Sequence, residues 1–488
     1  MRKLSLSGLL TLSLSVLLLA SCGESSQKGE ETLPVNAPEE QNPADTAPVY
    51  DPGLPERDFG GADFNVMLAG ADGDYQDVLT DSIDGDRLND AVYERKAFIE
   101  STYNVKLVLQ WGGASGGTPG SSEMHAAISK LVMSGDDVLD VIGASPYCQC
   151  GLAQSGYLMN LKDLPYVNLS QPWWDQNVNS SLCFYDHIFF SVGDFTTIDN
   201  RATSSILVNK GMIQQFDLEN PYELVRSGKW TMDKMIENSK IVAADLNGDS
   251  VMTEEDRWGF SYWNDAAYTL MHSANAVVGT TNANGEPEYC ADSEHFTDAY
   301  LKVVQVFNKA YAYNKKIDNT GGQEPFSTGN ALYHWALFYD VIDYRDLEID
   351  FGLLPPPKMD EAQKQYCSDA SAYQMILISV PITVADPERA GILLEAMSAK
   401  GKEVITPAFY DVQLATKSLR DEDSVEMLQL ICDTQLYDIG YFFKWGDVFS
   451  KVKSACDARS DSIASVLQSC SKAVVKDVET CIEAFTKD

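Results

Sequence analysis

Positive charge is scarce in this sequence: 36 Lys and Arg stand against 72 Asp and Glu, a formal net charge of −36. So acidic a chain repels phosphate backbones and anionic headgroups, which argues against nucleic-acid binding and leaves no basic face for a membrane. Histidine is also rare, and His125, His187, His272, His295 and His334 lie apart, without the paired helical spacing of zinc proteases. Cys148-Gln149-Cys150 is neither a Cys-x-x-Cys redox unit nor a zinc pair, and nine of the ten cysteines are scattered along the chain. Redox chemistry, zinc chemistry and a small disulfide framework are therefore not expected. Long apolar runs are missing too, apart from one at the start.

That run, Leu4 to Ala20, follows Arg2 and Lys3. It is too short for a stable span and reads as a signal peptide over residues 1–21. Leu19-Ala20-Ser21-Cys22 resembles the bacterial lipobox, so Cys22 is expected to become a lipidated, palmitate-bearing N-terminus on the extracellular face of the cell membrane. Losing Arg2 and Lys3 moves the formal charge from −36 to −38, so the membrane is held through the lipid only. Residues 22–57, rich in Glu, Pro, Ser, Asn and Ala, read as a disordered linker, because they cannot bury enough surface to offset the entropy of ordering. About 430 residues remain, long for one core and suited to two lobes of roughly 200 residues each.

The folded part alternates strands and helices. Phe64 to Leu68 reads as a strand, Asp86 to Tyr103 as a helix, Val105 to Leu109 as a strand, and Val138 to Ile142 as another after a helix through Ile128 and Leu131. Such alternation implies a parallel α/β sheet, whose ligands bind outside the carboxyl ends of the strands, here the loops after Leu68, Leu109 and Ile142. Ile206 to Lys210 is a further strand, Thr231 N-caps a helix, and Asp350 to Lys358 reads as a strand ending in a proline run that returns between lobes. Asp461 to Phe485 carries an amphipathic helical stripe.

Several stretches occur in an order similar to that of bacterial extracellular solute-binding proteins, family 1, the carbohydrate-importer relatives of maltose-binding protein. They are Leu158 to Leu164, Pro172-Trp173-Trp174-Asp175, Leu207 to Lys210, Pro221 to Leu224, Gly228 to Thr231, Phe326 to Leu332, Phe351 to Pro355 and Thr406 to Asp411. The resemblance implies an α/β fold of two hinged lobes joined by crossing strands, the type II periplasmic-binding-protein-like fold. Lobe 1 is expected over 58–205 plus 368–418, and lobe 2 over 206–367 plus 419–488. It further implies a monomeric, non-catalytic component of an ABC importer that hands its solute to permease subunits.

Asp245 to Asp256 resembles the 12-residue EF-hand loop. Asp245, Asn247 and Asp249 are expected to supply side-chain oxygens, Val251 its carbonyl, Thr253 a hydroxyl or bound water and Asp256 the closing carboxylate of a structural calcium site. Ser250 stands where glycine is usual, and Asp256 is shorter than the usual Glu. Gly113 to Gly117 matches Gly-x-Ser-x-Gly, but Pro119 and more loop follow instead of a helix, so it reads as a cleft loop.

Sugar rings need flat apolar faces and planar polar partners. The aromatic candidates are Trp173, Trp174, Tyr262, Trp263, Trp335, Tyr339 and Trp445, and the polar ones Asp194, Asp199, Asn200 and Arg201. A mono- or oligosaccharide is the expected ligand. The rival readings are a secreted glycan-degrading enzyme, which needs two carboxylates flanking the bond, and a binder of another solute such as a peptide.

Overall fold

Residues 49–71, 74, 77–410, 419 and 421–486 are described by the computed structural model, with backbone only at Asp343 and Arg345. The signal peptide, Cys22 and residues 23–48 of the linker lie outside these.

Along the chain, β1 (Ala62–Leu68), β2 (Val105–Trp111) and β3 (Val141–Ala144) alternate with the helices Arg87–Tyr103 and Glu123–Ser134. The local chemistry explains the boundaries. Asp86 N-caps the first helix by accepting from Leu88 and Asn89, and Ser122 caps the second, which stops at Gly135 with φ of 71°. Beyond the crossing come β4 (Ser204–Asn209), β5 (Trp258–Tyr262), the hairpin β6 (Gly279–Thr281) and β7 (Pro287–Tyr289), β8 (Ala312–Asn314), β9 (Ala331–Leu337) and β10 (Phe351–Leu354). The short β11 (Ser368–Asp369), β12 (Leu377–Ser379) and β13 (Gln435–Leu436) follow.

Two sheets result. The first has the order β12-β3-β1-β2, with β1 parallel to both neighbours and β12 antiparallel on β3. The second has the order β10-β4-β9-β5-β8, with β4 antiparallel to β10 and β9, and β5 parallel to β9 and β8. Helix Pro387–Tyr410 packs on Arg87–Tyr103 in the first lobe. Helix Met232–Val242, capped by Thr231, lies on β5, where a Cβ at Gly259 would come within 2.2 Å of the Ser239 side chain. This is the two-lobe α/β architecture that the resemblance implied.

The chain crosses between the sheets twice, side by side and antiparallel. Ser191 bridges Ile378 at the first sheet, and Thr203 bridges Ala370 at the second. Residues 411–418, expected in lobe 1, lie outside the described residues. The proline run does not cross: β10 is an edge strand of the second sheet, and Trp230 Nε1 donates to Pro355 O at 2.8 Å. Its prolines stop the ladder at the edge, where a missing N–H costs least. Residues 49–57, expected as linker, instead lie against the first lobe. Tyr50 meets Trp173 edge-on at 6.3 Å, Leu54 packs on the core, and Arg57 pairs with Glu388 at 2.8 Å. Among the described residues no helix is long and apolar enough to cross a membrane, and the nine described cysteines are unpaired.

Candidate functional site between the lobes

A cavity of about 440 Å³ opens where both lobes meet the crossing segments. The first lobe supplies the loops after β1 and β2, as the strand-end rule required. Gly70 turns with φ of 111° and exchanges backbone hydrogen bonds with Gly113 at 2.8 and 3.1 Å. Ser115 is fixed because Ser145 Oγ donates to its carbonyl at 2.7 Å and its own hydroxyl accepts from Ser145 N at 3.1 Å. The loop after β3 thus buttresses the cavity without lining it. The crossings supply Ile198, Arg201 and Tyr373 to Ile376, and the second lobe supplies Tyr339. The Arg201 guanidinium lies 4.7 Å over the Tyr339 ring, which orients its planar fork.

A second cavity of about 290 Å³ shares Tyr373 and Gln374 with the first and extends along the second lobe past Trp263, Lys315 and Trp335. The His334 ring shares hydrogen bonds with Ser261 Oγ at 2.7 Å and Tyr344 OH at 3.1 Å, and burial holds it below the usual histidine range. Asp265 is paired with Lys453 at 2.9 Å, and Asp340 Oδ2 accepts from Leu337 N at 3.0 Å. Trp263, Tyr339 and Tyr373 remain 40%, 44% and 45% exposed, unusual for rings beside a cavity and suited to stacking on a ligand.

The candidates read from the sequence divide sharply. Arg201 and Tyr339 line the first cavity, and Trp263 and Trp335 the second, Trp335 with its Nε1 donating to Thr269 Oγ1 at 2.9 Å. Trp173, Trp174, Tyr262 and Trp445 line neither and are packed in the core. Trp174 Nε1 donates to Glu395, Tyr262 stacks on Phe307 at 4.3 Å, and Trp445 Nε1 donates to Cys481 Sγ. Asp194 sits behind the crossing, accepting from Thr406 Oγ1 with Lys402 at 3.4 Å. Asp199 is buried behind the site, and desolvation, then Asp175, raises its pKa well above the usual carboxylate value. Asn200, next along, is half-buried and lines neither cavity. The sequence reading missed Tyr373, Gln374 and Lys315. Tyr373 and Gln374 sit in an apolar run leading into β12, with no local signal that the run crosses between lobes.

The loop Asp245 to Asp256 turns on its own backbone. Asp245 accepts from Gly248 N and Ser250 N at 2.7 Å each, Asp249 from Val251 N at 2.7 Å, and Asp256 from Leu246 N and Thr253 N at 2.8 Å each. Ser250 takes φ of 67°, the left-handed state for which glycine is usual at that position. Among the described residues no group of three His, Cys, Asp or Glu side chains is arranged to hold a metal ion.

No protein-family model and no curated protein matches the sequence. Solved structures do match by shape. UspC of M. tuberculosis is 13% identical with a TM-score of 0.56, over 84% of this chain and 100% of that one. A cyclo/maltodextrin-binding protein complexed with maltotetraose is 13% identical with a TM-score of 0.54, over 87% and 97%. The ABC substrate-binding protein Lmo0181 of Listeria monocytogenes, in complex with cycloalternan, is 11% identical with a TM-score of 0.52, over 88% and 100%. The chain therefore has the two-lobe fold of the solute-binding proteins of ABC importers, with a cavity at the crossing between the lobes.

Proposed function

We propose that this protein captures a mono- or oligosaccharide outside the cell and delivers it, chemically unaltered, to permease subunits of an ABC importer. The observation that carries the reading is the pair of connected cavities at the crossing segments, flanked by three exposed aromatic rings and by Arg201 and Gln374. Ligand held by both lobes stabilises the closed form through its higher affinity for that form. Structural neighbours complexed with maltotetraose and cycloalternan support the ligand class. The glycosidase reading needs two carboxylates flanking the bond; among the described residues Asp74 is the single carboxylate lining the first cavity, and in the second Asp265 is paired with Lys453 and Asp340 accepts from Leu337 N. The protein acts as a monomer, tethered through lipid on Cys22.

The test is a thermal-shift screen against oligosaccharides and peptides with product analysis. A saturable rise in Tm with sugars and no turnover is expected; stabilisation by peptides alone, or conversion of the sugar, overturns the reading. We further propose structural calcium in the loop Asp245 to Asp256, supported by the twelve-residue spacing and the left-handed Ser250. Chelator is expected to lower Tm and calcium to restore it, and an S250G variant to retain the response; a Tm indifferent to both overturns the site.

A further inference from the structure

The chain holds twice as many acidic as basic side chains, and among the described residues the cleft is lined by three acids, Asp74, Asp265 and Asp340, and two cations, Arg201 and Lys315. The acids around it are already engaged. Asp265 pairs with Lys453, Asp340 accepts from a backbone N–H, and Asp74 Oδ2 accepts from Ala71 N at 2.7 Å. Lys315 differs. It is half-buried in the second cavity, and among the described residues no carboxylate lies within ion-pair distance of its amine. His334 lines the same cavity; burial is the main cause that lowers its pKa, Glu324 and Asp340 oppose the fall, and the charge of Lys315 adds to it. Arg201 faces the first cavity across the Tyr339 ring, and Lys444 Nζ stands 5.9 Å from the centroid of the exposed Tyr373 ring that joins the two cavities.

A half-buried ammonium without a counter-ion is unfavourable, and in so acidic a protein a partner was available almost anywhere on the surface. A neutral sugar gives Lys315 nothing to neutralise. A carboxylate does, and the Arg201 fork matches a second one bidentately while Lys315 acts as a point charge. We infer that the solute is an acidic oligosaccharide with carboxylates on successive rings, an oligouronide, whose carboxylates are met by Arg201 in one cavity and Lys315 in the next. This rests on the sugar-binding reading above and narrows it. Lys315 is the specificity-determining residue, because its charge, unlike the aromatic rings, distinguishes acidic from neutral chains.

Isothermal titration with trigalacturonate and with maltotriose, at low and high salt, tests the inference. Trigalacturonate is expected to bind at least about ten-fold tighter, with an affinity that falls as salt screens the pairs. Lys315→Gln is expected to weaken trigalacturonate by about ten-fold while its circular dichroism and Tm stay those of the parent. Binding of maltotriose alone, or an unchanged trigalacturonate affinity in Lys315→Gln, overturns the acidic-sugar inference and leaves the sugar reading standing. Binding of neither, by protein of native Tm, overturns the sugar reading itself.

Discussion

His272 is wholly buried between two carboxylates, with Asp369 and Asp438 each 3.2 Å from one of its ring nitrogens. Burial alone lowers its pKa, but hydrogen bonds to the two carboxylates outweigh that and raise it from 6.5 to about 9. A raised folded pKa contributes stability in full below the unfolded value, and the contribution is lost as pH rises through the folded one. The expected outcome is a Tm that falls as pH goes from 6.5 through 9, with a fall missing from His272→Gln. The shift corresponds to about 3 kcal/mol at most. Nothing in the sequence marked His272, since its partners lie 97 and 166 residues away.

Helix Pro387–Tyr410 shows how an element positions the site without touching it. Gly401 lets the helix meet the first crossing: a Cβ there would sit 1.8 Å from Asp194 O. Arg95, fully buried, ties the same stretch down by donating to Phe195 O at 2.6 Å and Val78 O at 2.7 Å. Gly401→Ala must therefore push helix and crossing apart, and urea unfolding is expected to show a loss of about 1–3 kcal/mol. Element boundaries with a chemical cap, such as Asp86 and Thr231, were legible in the sequence. The proline run was not, because an edge strand and a crossing share the requirement that the ladder stop.

Across the whole molecule the lobes are joined by more than strands. Helix Ile463–Phe485, whose amphipathic stripe was legible, packs on helix Pro146–Gln154 of the first lobe and on β7 of the second. Its last ring, Phe485, stacks on Phe184 at 4.7 Å and on Phe189 at 5.3 Å, and meets Phe443 edge-on at 5.8 Å. Phe485→Ala is expected to cost about 3 kcal/mol in denaturant unfolding. On the proposed function, closure is expected to be a rotation about a hinge clamped on this side, and small-angle scattering to register a smaller radius of gyration on adding ligand. The sequence by itself determined the α/β alternation, the helix caps and the strand-end loops at the cleft, because these follow from local periodicity and backbone chemistry. Only the tertiary structure decided which aromatics line the cavities. Trp173 and Trp263 are alike as residues, and their difference in burial comes from elements distant in the chain that cover one ring and leave the other open.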